Sequence, residues 1–351
     1  MANRSIERSP EYLLSLTEKP WDSIYANYET FLCATLSAGG AIEACRAVVA
    51  GAVKNSIAVI RPPGHHCESG TASGFCFFNN VCIAARVCQR DFPDKCRKIL
   101  ILDWDVHHGN GVQEIFYDDP NILYISLHVY MNGQFYPGTD AGGHDKCGTN
   151  NAYGKNVNIP WSYYGMTDAD YLHAFREVVM PIGQEFDPDF VIVSAGFDAA
   201  DGDELGKCHV TPAGYSQMTH MLMSLANGKI AVCLEGGYNL SSIAKSALAV
   251  TRTLMGEPPD RIDPELTVSK YAVNDVAMVK RQQAKYWQSI YPREKVNFTD
   301  PAIKAERLHD VLRKWQSQLL FEQYDMTALP IRRQSLIYGQ SRSFDYQVIA
   351  T

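Results

Sequence analysis

Six short strand-like runs constrain this chain more than anything else in it. They are SIAVIR (56–61), KILILD (98–103), NILYISLH (121–128), NVNIP (156–160), FVIVSA (190–195) and KIAVCLE (229–235). A strand with one wet face alternates apolar and polar residues, and most of these do not. Unbroken apolar runs of this length fit strands covered on both faces of a parallel sheet. Helix-length segments lie between them: Phe31–Ala50, Asn79–Asp91, Asp168–Phe186, Pro212–Ala226 and Leu240–Met255. Thr167-Asp168 gives the third a capped start. Strand–helix alternation predicts an α/β fold, a doubly wound, mostly parallel sheet flanked by helices.

The pattern changes after residue 256, where EPPDRIDPE is rich in turn formers. A helix-like segment, Ala272–Tyr291, follows. A second helix is expected after Asp300-Pro301, with Leu308, Val311, Leu312, Trp315 and Leu319 on one face. The tail, RRQSLIYGQSRSFDYQVIAT, has no clear period.

Composition removes several function classes. A net charge of -7 argues against direct binding to nucleic acid. The ten cysteines form no Cys-x-x-Cys pair and no zinc-finger spacing, so they are expected as buried, reduced thiols. No apolar run is expected to span a membrane, and the N-terminus, MANRSIERSPEYLL, lacks a signal-peptide core.

The chemistry gathers just past the strands. In open α/β sheets ligands bind beyond the carboxyl ends of the strands. Here SIAVIR runs into PPGHH, KILILD into WDVHHGNG, ILYIS into LHVY, FVIVSA into GFDAADGD and IAVCLE into GGYN. Packing alone does not place His, Asp and Gly at so many ends. In an extended chain Asp103, Asp105 and His107 share one face, and Asp198 supplies a further carboxylate. Such a set suits zinc, and also manganese or iron. The plain alternative is capping aspartates and a satisfied core histidine, which remains the better account of Asp201 and Asp203. His65 and His66 suit proton transfer, with Asp103 and Asn110 available to hold their far nitrogens. Tyr238, after two glycines, can donate to a developing oxyanion; alone it would read as an ordinary boundary tyrosine.

Together RPPGHHCE, GFCFFNN, DWDVHHGNG, SLHVY…FYPG, SAGFDAADGD and LEGGYN resemble the zinc-dependent histone deacetylases, class II and fungal in type, from about Ser9 to Tyr291. The resemblance implies the arginase–deacetylase fold, with a catalytic domain over residues 1–292 and a helical linker or C-terminal extension over 293–351. It implies zinc on Asp105, His107 and Asp198. His66 becomes the general base and acid, His65 its neighbour paired with Asp103, and Asn110 the partner of His66. Asn110 stands where class I enzymes carry Asp. Tyr238 would polarise the acetyl carbonyl. Gly74, Phe75 and Tyr136 would line the acetyl-lysine channel, with Tyr136 in place of the usual Phe. Structural potassium would sit among Asp103, Asp105, His107, Ser126 and Leu127. Leu205 is apolar where a polyamine deacetylase branch carries an acid, which favours acetyl-lysine in a peptide.

The family also implies acetylated histone tails or other acetyl-lysine proteins as substrates, corepressor subunits as partners, and a nuclear location with the cytoplasm as alternative. Family catalytic domains begin earlier, with a first strand this sequence lacks, so an N-terminally truncated domain is expected. Two rival functions stay open: an acetylpolyamine or small-amide hydrolase of the same fold, and an inactive scaffold.

Overall fold

Each of the six runs is a strand in the computed structural model, which describes residues 23–291 and 348–350. The strands are β1 Asn55–Val59, β2 Ile99–Asp103, β3 Ile122–Val129, β4 Asn156–Trp161, β5 Phe190–Ala195 and β6 Ile230–Leu234. All pair in parallel, in the order β4-β3-β2-β5-β6-β1, and a short β7, Val348–Ala350, pairs in parallel with the outer edge of β1. From β2 the chain winds outward through β3 and β4; from β5 it winds the other way to β6. The neighbours β2 and β5 are therefore the topological switch point, where loops leave the sheet in opposite directions and open a crevice.

Side-chain alternation across the sheet explains the unbroken apolar runs. Leu100 and Leu102 of β2, Val191 and Val193 of β5 and Val232 of β6 enter one core. Ile99, Ile101, Phe190, Ile192 and Cys233 enter the other. The second core is closed by α1 (Thr30–Ala50), α2 (Asn80–Asp91) and α3 (Asn110–Phe116). The first is closed by α4 (Asp168–Ala174), α5 (Met180–Phe186), α6 (Pro212–Leu222), α7 (Leu240–Leu254) and α8 (Lys270–Gln283). All ten cysteines are free thiols, and Cys33 alone is exposed.

Three expectations change. Residues 168–186 are not one uniform helix, because a π-helical stretch, Phe175–Val179, joins α4 to α5. The seven-residue α3 was not predicted. And α1, 21 residues with mean hydropathy 1.3, is long and apolar enough to cross a membrane by length and composition, contrary to the sequence reading. Half of that stretch is buried, and Ala41, Ala44, Cys45 and Val48 pack into the second core. The predicted helix carrying Leu308, Val311, Leu312, Trp315 and Leu319 falls outside the described residues, within a second unit, Pro292–Phe344.

Candidate active site

The loops leaving β2 and β5 meet at the switch point, and there Asp105, His107 and Asp198 converge. One ligand atom from each lies within 4.8 Å of the others. His107 Nδ1 is 3.0 Å from both Asp105 Oδ1 and Asp198 Oδ2. Both carboxylates are fully buried. Backbone donors hold them in place: Val106 N–H donates to Asp198 Oδ1 at 2.8 Å, and Gly236 N–H donates to Asp105 Oδ2 at 3.0 Å. A side chain at 236 would not fit, since a Cβ there would stand 2.6 Å from both Asp105 Oδ2 and Asp198 Oδ2. Glycine is thus required by the close approach of the backbone.

Asp103 does not join this triad, although alternation would put it on the same face. β2 ends at Asp103, and the chain then folds back on its own carboxylates. Asp105 N–H donates to Asp103 Oδ1 (3.2 Å), and His107 N–H donates to Asp105 Oδ1 (2.9 Å). Asp103 Oδ2 instead accepts from His65 Nδ1 (3.0 Å) and from the Tyr124 hydroxyl (2.9 Å).

The electrostatics call for a cation. Burial, with the charge of Asp105 added, lifts Asp198 to about 7. Burial alone would lift Asp105 too, but His65 and His107 outweigh it and hold that carboxyl below its usual range. Burial would push His107 down, yet its bonds to Asp105 and Asp198 raise it to about 10. Two buried carboxylates facing one nitrogen thus draw positive charge to their midpoint. A divalent metal ligated by carboxylate and imidazole fits that point.

His65 and His66 lie side by side, ring centroids 4.1 Å apart. Their environments push them in opposite directions. For His65 burial is outweighed by Asp105 and Asp103, and the imidazole is held well above its ordinary value. For His66 burial, then the charges of His65 and His107, push it well below. His66 Nδ1 lies 2.8 Å from Asn110 Oδ1 at the start of α3. Burial and neighbouring charges thus push two adjacent imidazoles apart, one toward its charged form and one toward its neutral form. The backbone of the pair is held by Glu235, whose Oε2 accepts from the N–H groups of Gly64 and His65 at 2.6 and 3.1 Å.

Aromatic rings pack on His66 and His107. Tyr136 meets His66 edge-on at 5.0 Å, and Phe135 stacks on His107 at 5.1 Å. Gly74, at φ +51°, lets the chain pass so close that a Cβ would come within 2.4 Å of His66 Cδ2 and 2.9 Å of the Tyr136 hydroxyl. Phe75 and Tyr238 meet at 6.1 Å and stay partly exposed, at 45% and 41%. Burial, with the charges of Asp105 and Asp198, raises Tyr238 far above its ordinary range, so the phenol keeps its proton. Leu205 is exposed on the loop after β5. Ser126 sits opposite Asp103 in the β2–β3 register, with its hydroxyl bonded to His128 Nδ1 at 2.8 Å, and Leu127 is buried in the first core.

Four residues of this site escaped sequence reasoning. Phe135 had a signal in its FYPG neighbours. Glu235 and Glu68 had none, because the groups they serve, the N–H groups of Gly64 and His65 and the Asn110 amide, lie on remote segments, and for Asp203 only the bond to Tyr238 was out of reach. Asp203, expected as a turn aspartate, accepts from Leu205 N–H (3.0 Å) and Gly206 N–H (3.2 Å) on Oδ1. Its Oδ2 accepts from Tyr238 N–H at 2.7 Å.

With sheet, crevice and site in place, comparison with known proteins gives a consistent answer. The chain belongs to the histone deacetylase family: the histone deacetylase domain model matches residues 2–254. An Arb2-like domain model matches residues 307–351. The chain is 51% identical over 338 residues to histone deacetylase clr3 of Schizosaccharomyces pombe, covering 96% of this chain and 48% of that protein. It is 49% identical over 332 residues to histone deacetylase HDA1 of Saccharomyces cerevisiae, covering 92% and 47%. The solved structure of the histone deacetylase Clr3 superposes with a TM-score of 0.71 at 51% identity, over 93% of this chain and 53% of that one. The chain thus spans about half the length of the curated relatives it matches.

Proposed function

We propose that this protein hydrolyses N6-acetyl-lysine in histone tails or other proteins, releasing acetate. The observation that carries the proposal is the convergence of Asp105, His107 and Asp198 beside an oppositely tuned histidine pair. In this reading the three residues hold zinc, which supplies a polarised acetyl carbonyl and an acidified water when bound.

The chain's own residues do the rest. His66, neutral and holding its Nδ1 hydrogen toward Asn110 Oδ1, takes a proton at Nε2 from the attacking water. It returns that proton to the departing lysine amine. His65, kept as an imidazolium by Asp103 and Asp105, favours negative charge beside it. The Tyr238 phenol donates to the oxyanion formed from the acetyl carbonyl. Gly74, Phe75 and Tyr136 form the walls that receive the lysine stem, and Leu205 offers an apolar contact at the rim. A monovalent cation, potassium, is assigned to Asp103, Ser126 and Leu127, together with the backbone of Asp105 and His107. The buried Asp103 carboxylate in register with Ser126 supports that assignment.

The same reading gives the protein a nuclear role in chromatin silencing, within a corepressor complex. The Arb2-like match supports membership of a complex. The test is turnover of an acetyl-lysine peptide against an acetylpolyamine, by wild type, Asp198→Asn and Tyr238→Phe. Peptide turnover by wild type, lost in the first variant and reduced in the second, is expected. Preference for the polyamine, or equal rates in all three, would overturn it.

A further inference from the structure

We infer that Glu68 is a positioning residue for His66, acting through the side-chain amide of Asn110. The inference rests on the proposed role of His66 in proton transfer.

The argument turns on which end of an amide faces which neighbour. Asn110 Oδ1 lies 2.8 Å from His66 Nδ1, and Asn110 Nδ2 donates to Glu68 Oε1 at 2.8 Å. An asparagine side chain has an acceptor at one end and donors at the other, and the two ends are nearly the same shape. The His66 carbonyl, 3.4 Å from Asn110 Nδ2, favours one orientation only weakly, so without Glu68 the amide could still sit either way beside a neutral histidine. Its oxygen would select the Nδ1–H tautomer, and its nitrogen would select the Nε2–H tautomer. An ionised carboxylate only accepts. Glu68 therefore requires the nitrogen of Asn110, and the oxygen is left for His66. The histidine must then carry its hydrogen on Nδ1, leaving the lone pair on Nε2, the nitrogen that the proposed hydrolysis needs free.

Glu68 is itself held in place. Its backbone exchanges two hydrogen bonds with Thr71, at 3.1 and 3.4 Å. The next residue, Ser69, donates from N–H and Oγ to Glu114 Oε2 at 3.1 and 2.8 Å, and Glu114 is one turn beyond Asn110 on α3. On the other side of the histidines, Gly111 N–H and Val112 N–H at the start of α3 donate to the carbonyl of His65 at 3.1 and 3.3 Å. The segment from His65 to Ser69 is thus clamped along α3, and Glu68 has little freedom to release Asn110.

The test uses steady-state kinetics of the zinc-loaded full chain on an acetyl-lysine peptide, with 15N spectra of histidine-labelled protein. Glu68→Ala is expected to lower kcat by about 10- to 100-fold, the scale for groups that orient a site from behind, with KM within twofold. Glu68→Gln, which keeps the shape and an acceptor, is expected to lose less. The decisive arm is Asn110→Asp, whose two oxygens leave no amide to orient but face Glu68 with like charge. In that background Glu68→Gln is expected to raise kcat. A residue that merely shapes the loop would lower it in both backgrounds. The 15N spectra should show one tautomer of His66 in wild type and a mixture in Glu68→Ala. Unchanged kcat in Glu68→Ala, equal losses in both backgrounds, or an unchanged tautomer would each overturn the inference. A tautomer shift in a chain that turns over no acetyl-lysine would leave Glu68 its role and remove the proposed function.

Discussion

The body of β2 and the residues at its carboxyl end are equally buried and energetically opposite. In β2, Ile99 to Leu102 are fully enclosed apolar residues, and the next positions include Asp103 and Asp105, enclosed as completely. Burying a leucine side chain contributes about 1.5–3 kcal/mol. Burying a carboxylate costs several kcal/mol unless a partner offsets it. At the strand ends the offset comes from backbone N–H groups, two histidines and, in the proposed enzyme, metal ions. It is incomplete for Asp198 and Glu235, both driven by burial toward about 7. The comparison teaches that one sheet divides its labour along the strand direction: the bodies stabilise the fold, and the ends spend part of that stability on chemistry.

The sharpest way to break this comparison is to remove charge at one end. Asp198→Asn keeps an acceptor for Val106 N–H but loses the carboxylate. Zinc content by elemental analysis and peptide turnover should both fall to background. The melting temperature of the zinc-free protein should equal or exceed that of wild type, because a buried like-charge repulsion has gone. A clear fall in that temperature would mean that the ends stabilise the fold after all. The converse change is Leu100→Ala in a strand body. It should cost about 2–5 kcal/mol in urea unfolding while leaving kcat per folded molecule within twofold. Tyr238→Phe should raise the barrier by about 2.7–4 kcal/mol, read as a fall in kcat, with no change in melting temperature.

A smaller effect concerns pH. Burial, aided by the charge of His65, lowers His108 from 6.5 to about 4 against the opposing bond from Gln113. The unfolded chain therefore takes up a proton that the folded chain refuses. That contribution is fully present above about 6.5 and is lost as pH falls toward 4, up to about 3 kcal/mol. Stability of wild type relative to His108→Asn should decline over that window, measured by urea unfolding at successive pH values. A constant difference would show that His108 is not held neutral.

The strands were legible because burial on both faces leaves an unmistakable apolar run, and their ends because His and Asp have no packing reason to cluster there. The seven-residue α3 was not. It begins after Gly109 and carries too few turns to show a period, yet it supplies Asn110 and clamps the histidine loop. The grouping of Asp103 with Asp105 and His107 failed for a local reason. Alternation holds only while the chain is extended, and here it turns back at the last strand residue. Glu235 was opaque in another way: it serves backbone groups 170 and 171 residues away, and nothing in its own neighbourhood announces them.

Asp203 carries a consequence for how such an enzyme can diversify. One carboxylate grips the backbone of Tyr238 on one oxygen and that of Leu205 and Gly206 on the other. In the proposed function, the loop that meets the substrate and the phenol that speeds its cleavage are moored to a single post. A lineage exploring new substrates by reshaping that loop would drag its oxyanion donor along. Selectivity is freer to drift at Tyr136, which meets His66, and at Phe75, which meets the Tyr238 ring, since both come from segments that Asp203 does not hold.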